Sequence, residues 1–102
     1  MQTKPENEKM QPQDIHMNQI ISAINDPRIE NIYFNGFSTA IGNGDIILTL
    51  FRNGVPVKVL NTSFTVTKTL AEKLSAIVQD IEKKANVTLL TTEDVQNAMV
   101  PK

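Results

Sequence analysis

The chain lacks cysteine altogether, has a single histidine, and carries almost no net charge. Without cysteine, neither a disulfide nor a thiolate metal site can form, and this composition is typical of the reducing cytoplasm, where we expect the protein. The one imidazole, that of His16, cannot build a histidine-rich metal site. A formal charge of −1, from 10 basic and 11 acidic residues, supplies no basic field for nucleic acid or for an anionic membrane.

Long apolar runs and catalytic motifs are also missing. No segment approaches the ~20 apolar residues that span a bilayer, and the first residues have no apolar core like that of a signal peptide. The glycines at 42 and 44 lack the lysine of a phosphate-binding loop and precede a predicted strand, and no G-x-S-x-G nucleophile elbow exists. The sequence therefore predicts no catalytic residue, no metal and no cofactor, and a protein that is not an enzyme.

The composition divides the chain once. Residues 1–13 are rich in Gln, Glu, Lys and Pro, which predicts a disordered tail, and residues 14–102 are expected to form one domain. The domain begins with a short helix over residues 14–25, with Asp14 as its N-cap and Pro27 beyond its end. Apolar residues at helical spacing form one stripe of this helix: Met17, Ile20, Ile21 and Ile24.

Three strands joined by two glycine turns are predicted between residues 33 and 64. Asn53-Gly54 is the stronger turn signal, because both residues tolerate the positive φ of a type I′ hairpin. Continued without irregularity, this hairpin sets Leu50 opposite Val57 and Leu48 opposite Val59. A simple three-residue turn at 42–44 adds small residues of the first strand to the same face as Leu50, namely Gly36, Ser38 and Ala40.

A long amphipathic helix is predicted next, over residues 69–84. Thr69 and Glu72 match a capping box, and lysines lie favourably near the C-terminus. Residues 87–90 could add a fourth strand, and a brief final helix follows with Thr91 or Thr92 as its cap. The predicted fold is α+β: a three- to four-stranded antiparallel meander sheet packed on one long helix, with short N- and C-terminal helices. The apolar stripe of the long helix comprises Leu70, Leu74, Ile77, Val78 and Ile81.

The predicted sheet is apolar on both sides, although one helix covers only one face. The predicted register collects an aromatic and aliphatic patch on the face away from the long helix, and this patch is the predicted interface: Tyr33, Phe37, Ile47, Phe51 and Leu60. Three alternatives remain for what packs on this patch: the N-terminal helix of residues 14–25 folding back, a second copy of the chain, or a client protein. A second copy would make a homodimer or a tetramer.

The run from "IYFNGF" through "DIILTLFRNG" to "PVKVLNTSFTVTKTLAEKLSAIVQDIE" resembles a family of small bacterial proteins to which no function is assigned. The likeness covers roughly residues 31–83 and implies a shared strand-strand-strand-helix domain. This order is also similar to that of SecB-type export chaperones. That resemblance implies an antiparallel sheet with helices on one face and assembly through the other.

The expected function is that of a small homo-oligomeric module that binds another protein. The first alternative is a SecB-like holdase that binds unfolded chains through the same patch. The second is a nucleic-acid accessory protein that uses the basic side chains of Arg28, Arg52 and Lys58. Nucleic acid is not the expected partner, because three cations on a near-neutral chain supply little attraction.

Overall fold

The structure, a computed structural model, describes residues 11–100 and has the predicted α+β architecture. Three helices and one three-stranded antiparallel sheet of order β1-β2-β3 make up this part of the chain. The elements are α1 (Pro12–Asn25), β1 (Gly36–Ile41), β2 (Asp45–Arg52), β3 (Val55–Ser63), α2 (Phe64–Ala85) and α3 (Thr92–Met99). They fall into two compact units, one ending at Tyr33 and one beginning at Phe34, so the prediction of one domain over 14–102 stays a prediction.

Helix α1 begins two residues before the predicted start. Pro12 opens it, since a fixed φ and a missing N–H suit the first turn, and Gln11 precedes it without a side-chain cap. The prediction that Asp14 caps the helix was therefore wrong; Asp14 lies within the first turn. The predicted tail included residues 11–13, which belong to this helix and its cap, and its other residues, 1–10, lie outside the described part.

The β2–β3 hairpin turns as predicted. Asn53 and Gly54 have φ values of 51° and 84°, the pair of positive angles that a type I′ turn requires. The side chain of Asn35 holds this turn: its amide nitrogen donates to Asn53 Oδ1 at 2.9 Å, and its oxygen accepts from the Asn53 backbone N–H at 2.9 Å. The start of β1 is thereby joined to a turn 18 residues away.

Replacing Asn35 by alanine should therefore weaken the hairpin. Two exposed hydrogen bonds are lost, and we expect a destabilisation of about 1 kcal/mol and faster amide exchange around Asn53. Asn43, at the tip of the other turn, is the matched control, since Asn43→Ala should change stability by less than about 0.5 kcal/mol. Urea unfolding and hydrogen exchange measure both effects. Equal losses of stability in the two variants would contradict a stabilising role of the Asn35–Asn53 hydrogen bonds.

The register of β3 corrects the prediction. Arg52 pairs with Val55 and Phe51 with Pro56, as expected, but Leu50 then pairs with Lys58 instead of Val57. Val57 is the extra residue of a β-bulge next to Pro56, which has no N–H to give to the ladder. From this point every β3 side chain lies on the face opposite to the predicted one, because side chains alternate with period two.

The register of β1 against β2 also differs from the predicted register. The Gly42 N–H donates to the Asp45 carbonyl at 2.9 Å, so only Asn43 and Gly44 lie between this pair. Gly44 has a φ of 90°, which allows so tight a turn. Ala40 consequently faces Ile47, one residue away from the predicted position. The small side chains of β1 thus share a face with Ile47, not with Leu50.

Helix α2 is longer than predicted and begins at Phe64. Ser63 is its N-cap, accepting the Val66 N–H at 3.1 Å. Thr69, predicted as the cap, lies inside the helix, where its hydroxyl donates to the Thr65 carbonyl at 3.2 Å. The helix ends at Ala85 with lysines in its last turn as expected, and Asn86 follows as its C-cap in the left-handed conformation.

The residues after α2 form no fourth strand. Residues 87–90 pair with no strand of the sheet, and the Leu89 N–H donates to the Glu82 carboxylate at 2.8 Å. Of the two predicted caps of α3, Thr91 and Thr92, the structure has Thr91: its hydroxyl accepts the Asp94 N–H, and the Asp94 carboxylate accepts the Thr91 N–H, both at 3.0 Å. Within residues 11–100, no helix combines the length and apolar character needed to span a bilayer.

Candidate protein-binding surface

The observed register gives the sheet one strongly apolar face, the Leu50 face. Leu48 and Leu50 lie at its centre on β2, with Phe37 of β1 opposite Leu50 and Leu60 of β3 opposite Leu48. Leu50 is 6% exposed and is the one apolar side chain among residues 11–100 that is buried. Its neighbours on the outer strands are open, since Phe37 is 63% and Leu60 is 43% exposed. The centre of this face is covered and its margins are not.

The predicted interface patch is divided between the two faces. Phe37 and Leu60 belong to the Leu50 face, whereas Ile47 and Phe51 lie together on the other face and are half-buried. Tyr33 ends the first unit and is largely exposed. The five residues therefore do not form one sheet surface through the predicted pairing, and their role as an interface stays a prediction.

Two of the three basic residues considered for nucleic-acid binding lie on the Leu50 face. Lys58 pairs with Leu50 and is half-buried, and Arg52 follows Leu50 by two positions on β2. These two side chains therefore lie at the edge of an apolar surface and do not form a basic surface. Arg28, the third, belongs to the first unit, where it forms an ion pair with Asp26.

The apolar stripe of α2 is a second open surface. We call it the helix stripe: Leu70, Leu74, Ile77, Val78 and Ile81. The exposed fractions of these side chains run from 41% for Leu70 and Val78 to 55% for Ile77. An amphipathic helix of 22 residues gains most of its stability from packing such a stripe, so five half-exposed side chains mark a surface that is available for contact.

The start of β1 and the start of α3 line a shallow groove of about 500 Å³. Phe34 and Phe37 form its apolar side, and Thr92 and Gln96 its polar side. Sequence reasoning missed this groove, because the two segments lie more than 50 positions apart and no local signal relates them. The groove extends the open margin of the Leu50 face around Phe37.

The polar groups of the described residues form turns and caps. The Arg28 guanidinium and its backbone N–H donate to the Asp26 carboxylate at 2.9–3.0 Å, and these bonds, chiefly that of the side chain, hold the pKa of Asp26 below its ordinary value. Asp45 accepts a long bond of 3.4 Å from Asn61. His16 is exposed on α1, and no group of three metal-ligating side chains occurs in the part that the structure describes.

The structure thus offers two apolar surfaces, the Leu50 face and the helix stripe, and a groove beside the first. Large contiguous apolar patches that stay exposed are often interaction sites, which makes these surfaces candidates for protein contact. In comparisons with protein-family models, curated proteins and solved structures, no match to this chain was found.

Proposed function

We propose that this protein is a small non-enzymatic module that forms a homo-oligomer and binds another protein. One observation carries the proposal: among residues 11–100, Leu50 is the single apolar side chain that is buried, while the helix stripe and the margins of the Leu50 face stay open. A soluble domain of about 100 residues ordinarily hides some 60–70% of the surface of its unfolded chain. A second copy is the partner that is always present to cover what one chain leaves open.

The proposal includes the packing of the long helix on the sheet. In the assembled protein, the flank of α2 that carries Ala71 and Val78 lies on the Leu50 face, so that α2 backs the sheet, and the rest of the helix stripe is buried between copies. The helix and the sheet have comparable lengths, since 22 helical residues rise about 33 Å and eight strand residues about 26 Å. Without cysteine, the assembly has no disulfide and depends on non-covalent contacts, chiefly apolar ones, which suits a cytoplasmic protein.

The holdase alternative uses the same surfaces in another state. A chaperone-like protein would keep the Leu50 face and the groove at Phe34 and Phe37 free for unfolded chains, in line with the similarity to SecB-type proteins. The open margin at Phe37 and Ile41, which are 63% and 79% exposed, supports this second candidate. The nucleic-acid alternative has less support, because Arg52 and Lys58 edge an apolar face.

The absolute mass of the protein in solution tests the proposal. We expect light scattering on a sizing column to give two or four times 11.4 kDa, with little fluorescence from a hydrophobic dye such as ANS, since the apolar surfaces are sealed. The same oligomeric mass with strong ANS fluorescence would favour the holdase. A monomer at all concentrations would overturn the homo-oligomer, and a salt-dependent shift on mixed DNA would revive the nucleic-acid alternative.

A further inference from the structure

We propose that α2 pairs with α2 of a second copy, antiparallel, about a two-fold axis at the level of Ser75 and Ala76. This inference rests on the proposed homo-oligomer and names its contact. A two-fold axis brings the same surface of each copy together, so the surface must be complementary to itself. The helix stripe and the charges beside it meet that condition.

The apolar spacing of α2 is the same in both directions. Leu70, Leu74, Ile77 and Ile81 follow one another at intervals of four, three and four residues. Reversing the helix reproduces this series, with its centre between Ser75 and Ala76. In an antiparallel pair, Leu74 therefore packs against the partner's Ile77, and Leu70 against the partner's Ile81. Such 4-3-4 spacing gives knobs-into-holes packing, with the helix axes about 8–10 Å apart.

The charges beside the stripe are complementary in the same arrangement. Lys73 and Asp80 lie seven residues apart, two turns along one flank of the stripe, and have opposite signs. Antiparallel pairing about the same axis sets Lys73 beside the partner's Asp80, and symmetry repeats the pair. In a parallel pair in register, this flank instead meets the side of the partner that carries Ala71 and Val78, so no ion pair would form.

The present partner of Asp80 does not prevent this pairing. Its carboxylate accepts from Lys84 Nζ at 3.1 Å, four residues along the same helix, and the two side chains are 58% and 77% exposed. An exposed pair of this kind is worth little, and a carboxylate has room for a second cation. On the other flank, Ala71 and Val78 carry no charge, so that side can lie against an apolar surface such as the Leu50 face.

Charge exchange tests the arrangement without disturbing the fold. In Lys73→Asp, both ion pairs across the axis become acidic pairs, and in Asp80→Lys both become basic pairs. We expect each variant alone to dimerise about tenfold more weakly at low salt, by sedimentation velocity over a dilution series. Lys73→Asp mixed with Asp80→Lys restores two opposite pairs, so about nine-tenths of the dimers in an equal mixture should be mixed, measured by native mass spectrometry with a mass tag on one variant.

The controls separate this proposal from the one on which it rests. Lys68→Asp makes the same charge change off the stripe, and its mixture with Asp80→Lys should contain no greater excess of mixed dimers than the wild type does with itself. Circular dichroism confirms that each variant keeps its helix. A wild-type dimer whose Lys73→Asp and Asp80→Lys variants mix only statistically would overturn the helix pairing and leave the homo-oligomer standing. A wild type that is monomeric at every concentration would overturn both.

Discussion

Replacing Leu74 by aspartate is expected to convert the proposed homo-oligomer into a monomer of 11.4 kDa. Leu74 lies in the middle of the helix stripe and is 52% exposed within its own chain, so the substitution removes little packing inside the chain. Across the proposed two-fold axis, however, it places a carboxylate in an apolar contact that offers no partner. Burying an unpaired charge costs several kcal/mol, and a cost of this size is expected to prevent association through the stripe.

The matched control for this variant is Ala76→Asp. Ala76 is exposed and lies on the opposite side of α2 from Leu74, so this control introduces the same charge and lowers helix propensity by a similar amount. We expect it to keep the wild-type mass. Light scattering measures both masses, and circular dichroism shows whether each chain stays helical. A folded Leu74→Asp variant with the wild-type mass would contradict any role of the helix stripe in assembly.

Shortening the one side chain that is buried among residues 11–100 should have the largest effect on stability. Leu50→Ala removes methyl and methylene groups from the centre of the Leu50 face, where 6% of the residue is exposed, and such truncations cost about 2–5 kcal/mol. Small domains have a free energy of unfolding of only about 5–15 kcal/mol. We therefore expect Leu50→Ala to unfold at much lower urea concentration, or to be unfolded without urea at 37 °C.

Ile41→Ala is the control for Leu50→Ala. Ile41 lies on the same face at the end of β1, but it is 79% exposed and already in contact with water. The control should cost less than about 0.5–1 kcal/mol. Urea unfolding followed by circular dichroism, with both variants at the same protein concentration, compares the midpoints, because the stability of an oligomer depends on concentration. Equal shifts would contradict the assignment of Leu50 as the centre of the core.

The elements were largely predictable because their signals are local. Asn53-Gly54 predicted a type I′ turn, which two positive φ values confirm, and the threonines and acids at 91–94 predicted a cap at Thr91 or Thr92, which the structure places at Thr91. The 3.6-residue period predicted the stripe of α2. The starts of the helices were less predictable. Thr69 was the predicted N-cap of α2, but the N-cap is Ser63. Both are hydroxyl residues that precede a helical segment, and nothing in the sequence shows which of them begins the helix.

What the sequence determined by itself is therefore the class of each element, its approximate bounds and the apolar character of its faces. What only the tertiary structure decided is which side chains share a face. The Val57 bulge and the pairing of Gly42 with Asp45 each move a strand by one residue relative to β2. A shift of one residue reverses a strand's faces, so the patch expected from simple register divides, with Phe37 and Leu60 on one side and Ile47 and Phe51 on the other. Register is a relation between strands, set by hydrogen bonds across the ladder, and no single segment contains it.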